Sequence, residues 1–190
     1  MEGIRTMATL RILIVVALQT IALVWMIADR QQMLNSSRVV TLKIVPVDPR
    51  DIFRGDYVIL NYEISRLDVK TVEGEDKFAP GDTAYVALRQ EGAHWKAASI
   101  SHAPQASAQD IAVIRATVRY MDDPSDTGPV NVNLDYGIES YFVPQGTGHV
   151  IEEEARKGEL SADIALDGKH RAAIKALRRN GTVFYVEGIF

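Results

Sequence analysis

The residues best equipped for chemistry crowd into residues 47–62 (VDPRDIFRGDYVILNY), where Asp48, Arg50, Asp51, Arg54 and Asp56 alternate in sign within nine residues. That density of opposite charge suits a loop tied by bidentate carboxylate–guanidinium pairs, which keep the carboxylates ionised. Pro49 and Gly55 bracket a tight connection, and Asp56 can bond neighbouring amides and fix the turn. Tyr57 and Tyr62 bracket the strand that follows. Two outcomes stay open: a charged turn that rigidifies a strand start, or a surface that binds a ligand or partner. A second group, Tyr136, Glu139 and Tyr141, lies within residues 136–144 (YGIESYFVP). The expectation is that the two groups share one surface; widely separated, each would be scaffolding. A hydrolytic site would need Asp48, Asp51 or Asp56 to converge with Glu139 in a cleft that raises one carboxyl pKa.

Other chemistry has little support. The absence of cysteine excludes disulfides, thiolate nucleophiles and cysteine-ligated metal clusters. His94, His102, His149 and His170 are isolated, without ligand spacing. Glu152, Glu153 and Glu154 would point in three directions on a helix and form a solvated face. There is no Gly-x-Ser-x-Gly elbow and no phosphate-binding glycine loop. No catalytic residue, metal or cofactor is expected.

The elements that must position these residues begin with a membrane segment. Residues 12–28 (ILIVVALQTIALVWMIA) carry no charge, and residues 7–28 reach a full span if Arg11 snorkels. Trp25 suits the interfacial belt, and Gln19 and Thr20 form a mid-span polar pair that is either tolerated or in contact with another membrane helix. A cleaved signal peptide fits less well, because cleavage after Ala28 would put Met26 at the −3 position. Arg5 and Arg11 before the span tie with Arg30 and Arg38 after it, so orientation rests on the short, positively charged N-terminal tail, which favours the cytoplasmic side.

Residues 1–30 are thus expected to form a tail and anchor, and residues 31–190 an extracytoplasmic, strand-rich domain. From Asp29 onward the chain holds 19 Lys and Arg against 24 Asp and Glu, a balance that gives no grip on nucleic acid. Period-two or β-branched runs predict strands at 39–47, 57–62, 83–89, 95–100, 111–120 and 130–136. From residue 162 on, alternation interrupted by Asp167-Gly168 and Asn180-Gly181 predicts a three-stranded meander, both dipeptides supplying the positive φ of tight hairpins. Residues 148–157, ended by Gly158, are the one helix expected outside the membrane. Residues 66–80 and 121–129 read as connections, and Gly55-Asp56 and Gly81-Asp82 are a faint hint of duplication. The fold class is mainly β, antiparallel and hairpin-rich, barrel- or sandwich-like, with one short soluble α-helix and an N-terminal transmembrane helix.

Gly55-Asp56-Tyr57, Leu60 and Tyr62 reproduce the motif that names the GDYXXLXY family of bacterial membrane-anchored proteins, and the chain resembles that family along its whole length. Asp48-Pro49-Arg50-Asp51 and residues 136–144 strengthen the resemblance. It implies an anchor in the inner membrane, a periplasmic domain without assigned activity, and a multi-spanning membrane protein as partner. No catalytic residues come with it. A Gly-Asp turn just beyond an anchor is also similar to signal peptidases, whose serine stands eight residues before the glycine. Here that position is Val47; Ser36 and Ser37 have the wrong spacing, and neither Lys43 nor Lys96 has a serine partner. The expected function is therefore non-enzymatic binding, with an envelope hydrolase or its inactive relative, or a small-ligand receptor, as alternatives.

Overall fold

The computed structural model describes residues 2–46, 57–106, 108, 110–122, 130–142, 151, 153, 155, 157–158 and 160–186. Its first element, α1 (Glu2–Leu34), is one unbroken helix. The stretch Arg11–Leu34 has a mean hydropathy of 2.3 and is long and apolar enough to cross a membrane. Its apolar side chains from Ile12 to Ile27 are exposed, as expected of a helix that buries them in lipid rather than in its own protein. Within it the Thr20 hydroxyl donates to the Val16 carbonyl at 2.9 Å, which satisfies one member of the mid-span polar pair from inside the helix.

Thirteen strands follow among the described residues. β1 (Val39–Val45), β3 (Asn61–Tyr62), β11 (Leu160–Leu166), β12 (Ala172–Arg179) and β13 (Thr182–Val186) form an antiparallel sheet ordered β13-β12-β11-β1-β3. β4 (Arg66–Asp68), β5 (Glu73–Gly74), β6 (Thr83–Glu91), β7 (His94–Ser101), β8 (Ile111–Met121) and β9 (Asn131–Asp135) form a second sheet ordered β4-β9-β8-β6-β7-β5. Only β5 and β7 run parallel in it. A third, two-stranded piece pairs β2 (Tyr57–Ile59) with β10 (Ser140–Phe142).

The alternation read from sequence does the sorting. Val40, Leu42 and Ile44 of β1 point inward, as do Val132 and Leu134 of β9, and β6, β8, β11 and β12 add their own inward rows to one continuous hydrophobic cluster. β11 is buried along its whole length, as a central strand between β1 and β12 should be.

Two expectations are revised. Residues 66–80, read as a connection, contain β4, β5 and a turn at Pro80-Gly81. Gly74 has φ +117, and a Cβ added there would collide with the Ile100 carbonyl, so β5 approaches β7 closely only as glycine. The β11–β12 hairpin does not draw its positive φ from Gly168; His170 supplies it, at φ 62. The reason is loop length. Asp167 and Arg171 close the loop with a backbone bond of 3.1 Å, and the three residues between them end in a left-handed residue, as loops of that length do. At the β12–β13 hairpin, Asn180 and Gly181 are both left-handed, as expected. Of the soluble helix, Ile151, Glu153 and Ala155 are helical, and Gly158 at φ +73 follows its end.

Candidate functional site

The two tyrosine-bearing segments meet. Tyr141 stands opposite Val58 in the β2–β10 ladder, and the Leu60 amide donates to the Glu139 carbonyl at 2.7 Å. The Tyr62 hydroxyl donates to the Ile138 carbonyl at 2.8 Å, and the Tyr136 hydroxyl to the Ile64 carbonyl at 2.7 Å. Each tyrosine thus reaches across to satisfy a main-chain acceptor beside the other. Both phenols are buried, and burial, with the Glu139 charge adding to it, pushes both well above the usual tyrosine range. Tyr141 is 2% exposed, its ring edge-on to Tyr185 at 5.7 Å.

The expected shared surface needs correcting for these three residues. They lie together in the interior, where the Tyr62 and Tyr136 hydroxyls each find a carbonyl that lets the phenol bury and the Tyr141 ring packs against Tyr185. Asp48, Arg50, Asp51, Arg54 and Asp56 fall outside the described residues, and of Tyr57 only the backbone is described, in β2.

Glu139 is the polar centre of this junction. Its Oε1 accepts the Tyr136 amide at 2.6 Å, and Asp135 accepts the Gly137 amide at 3.1 Å. The two carboxyl groups lie close enough for each to shift the other, Asp135 downward and Glu139 upward. Burial, then the bond to Asp135, raises Glu139 to about 7. The same bond and the Arg119 guanidinium, 2.9 Å away, hold Asp135 below the usual carboxylate range. Beside Glu139 opens a cavity of about 260 Å³, walled by Arg119, Asn61, Asn133, Ile59 and Tyr120. A buried carboxyl of raised pKa, a guanidinium and two amides around such a space could bind a small polar group. Sequence reasoning included Glu139 but missed Asp135 and Arg119, whose cross-strand proximity follows from a β8–β9 register with a bulge.

A family model described as GDYXXLXY protein matches residues 19–177, from inside the apolar helix into β12. The chain belongs to the GDYXXLXY family. Comparison with curated proteins and with solved structures gave no match.

The matched region of this GDYXXLXY protein holds a second constellation, where α1 joins the sheets. Arg171, in the β11–β12 loop, grips Asp29 with both terminal nitrogens at 3.0 and 2.9 Å and Asp167 through Nε at 2.7 Å. Asp167 in turn accepts the amides of Lys169 and Arg171 at 2.9 and 2.7 Å. The Ser36 hydroxyl donates to the Leu166 carbonyl, and the Leu166 amide donates to the Arg38 carbonyl. The Arg38 guanidinium donates to the carbonyls of Ala108 and Ile111. From the second sheet, the Arg115 amide donates to the His170 carbonyl at 2.8 Å, and Tyr85 meets the His170 ring edge-on. The loop therefore ties the helix to both sheets. Nothing in the sequence announced it, because Asp29 and Arg171 lie 142 positions apart.

Among the histidines, His102 bonds Glu75, approaches Asp82 at 3.5 Å and stacks on Phe78, and the Glu75 bond raises its pKa. Among the described residues no three His, Asp or Glu side chains are grouped to hold a metal.

Proposed function

We propose that this GDYXXLXY protein is a non-enzymatic, membrane-anchored binding protein, the accessory partner of a multi-spanning membrane protein in the bacterial inner membrane, with its strand-rich domain on the periplasmic side. The observation that carries the proposal is the Asp29–Arg171–Asp167 clamp. A tether that only localises a domain needs no fixed geometry. Here the helix end is built into the sheet, so any neighbour that holds the helix also orients the domain. Gln19 supports the same reading: it stands mid-span, and an amide in hydrocarbon is best satisfied by a neighbouring helix. Tyr62 and Tyr136 fit it too, since they spend their hydroxyls on main-chain carbonyls rather than on a reacting group.

The test is a photoreactive residue at position 19, illuminated in native membranes. An adduct with an integral membrane protein is expected, and Gln19→Leu should reduce recovery of that protein with the full chain several-fold. Adducts with lipid or with its own copies alone would sink the partner model. A second reading, a receptor for a small polar ligand, is favoured by the Glu139–Asp135 pair beside its cavity. It predicts ligand-dependent protection against thermal unfolding that Glu139→Gln abolishes while the adduct at position 19 persists.

A further inference from the structure

Between the last turns of α1 and the β11–β12 loop lies a cleft of about 510 Å³. We propose that it holds the headgroup of a zwitterionic phospholipid with a primary ammonium. The inference rests on the membrane-anchor reading above and adds a ligand to it.

Two independent features converge. The first is depth. The charge-free residues 12–28 fill about 25 Å of hydrocarbon at roughly 1.5 Å per residue, so Asp29 stands at the boundary. Because α1 continues without a break to Leu34, Gln32 and Asn35 rise through the next ~5–9 Å, which is the headgroup layer. The clamp then brings Asp167, Lys169 and Arg171 to the same level. The cleft opens where headgroups are and the acyl chain can stay in the bilayer alongside the exposed helix.

The second feature is charge. The cleft walls carry the paired Asp29, Arg171 and Asp167 together with Lys169. Arg171 is shared between the two carboxylates, while the exposed Lys169 extends from the loop tip, close enough for its charge to act on Asp29. A purely anionic headgroup would meet Lys169 but also two carboxylates. A zwitterion satisfies both signs: its phosphate takes Lys169 and the amide or hydroxyl donors of Gln32, Asn35 and Ser37, and its ammonium donates to the second lone pairs of the Asp29 oxygens, each of which accepts one bond from Arg171. A quaternary ammonium has no such hydrogen to donate, which is why a primary amine is specified.

The experiment is native mass spectrometry of the full chain in mild detergent, supplied with equal amounts of phosphatidylethanolamine, phosphatidylcholine and phosphatidylglycerol. The expected result is one retained lipid, with the ethanolamine form preferred several-fold. Lys169→Ala should reduce that retention by about three- to fivefold, the weight of one partly exposed charged contact, while the melting temperature holds. This variant keeps the backbone bond from residue 169 to Asp167 and so keeps the clamp. Equal retention of the three lipids, or a Lys169→Ala chain that retains the ethanolamine lipid unchanged, overturns the proposal. Displacement of the lipid by an equal concentration of free phosphoethanolamine overturns it as well. Alkaline extraction of native membranes separates the two levels of the argument. If the chain stays in the membrane but shows no lipid preference, only the headgroup site fails; if the chain is extracted, the anchor reading itself fails.

Discussion

At the scale of single residues, Glu139 shows how environment rather than identity sets chemistry. Its ordinary pKa is 4.5, and burial against Asp135 raises it to about 7. Between those values the folded protein holds a proton that the unfolded chain has released. Stability from this group is therefore complete at low pH, falls as pH rises through the window and levels off above 7. Asp135, shifted downward, acts with the opposite sign below its ordinary 3.8 and leaves this window alone. Glu139→Gln keeps an acceptor for the Tyr136 amide but cannot ionise. Denaturant unfolding at pH 5 and pH 8 should show the variant gaining about 1–2 kcal/mol on the parent at the higher pH, less than the full shift implies because the carboxyl keeps some water. An unchanged pH dependence would show that the proton is not held at Glu139.

At the scale of elements, the family motif is a seam. Its second tyrosine leaves β3 for the carbonyl of Ile138, Tyr136 returns to that of Ile64, and β2 pairs with β10 between them. Removing either hydroxyl leaves a buried carbonyl without its partner and should cost about 1–2 kcal/mol. Tyr62→Phe and Tyr136→Phe, measured by denaturant midpoints, are expected to give such losses singly. In combination they should fall short of additivity, since each bond holds the seam that positions the other. Additive losses would mean that the two bonds act independently. The strands themselves were legible: β1, β6, β7, β8 and β9 lie within two or three residues of where their alternation placed them. β4 and β5 were not, because strands of three and two residues are too short to carry a period and exist only through partners in β9 and β7.

At the scale of the whole molecule, the arrangement that matters is one between distant parts of the chain. Arg171 holds the helix end, the hairpin loop and, through His170, the second sheet in a single junction. Arg171→Leu breaks the grip on Asp29 while leaving the strand pairing of β12 in place. Trypsin should then cut at Arg30 and Arg38 roughly fivefold faster in the variant, as expected for a loss of ~1 kcal/mol in local closure. Equal cleavage rates would mean that the clamp adds nothing to what Ser36 and Arg38 already hold.

What the sequence determined by itself was everything local in origin: an apolar run long enough to span a bilayer, alternating rows that choose their own buried face, an Asn-Gly turn, and a motif specific enough to name the family. Tyr62 and Tyr136 were legible as important yet not as interior, since a tyrosine reads alike whether its hydroxyl meets water or a buried carbonyl. Tertiary structure decided which carbonyl each reaches, which carboxyl keeps its proton and which arginine meets the helix end. Those outcomes depend on strand order and register, which bring together groups far apart along the chain, and no local pattern encodes a distance across a sheet.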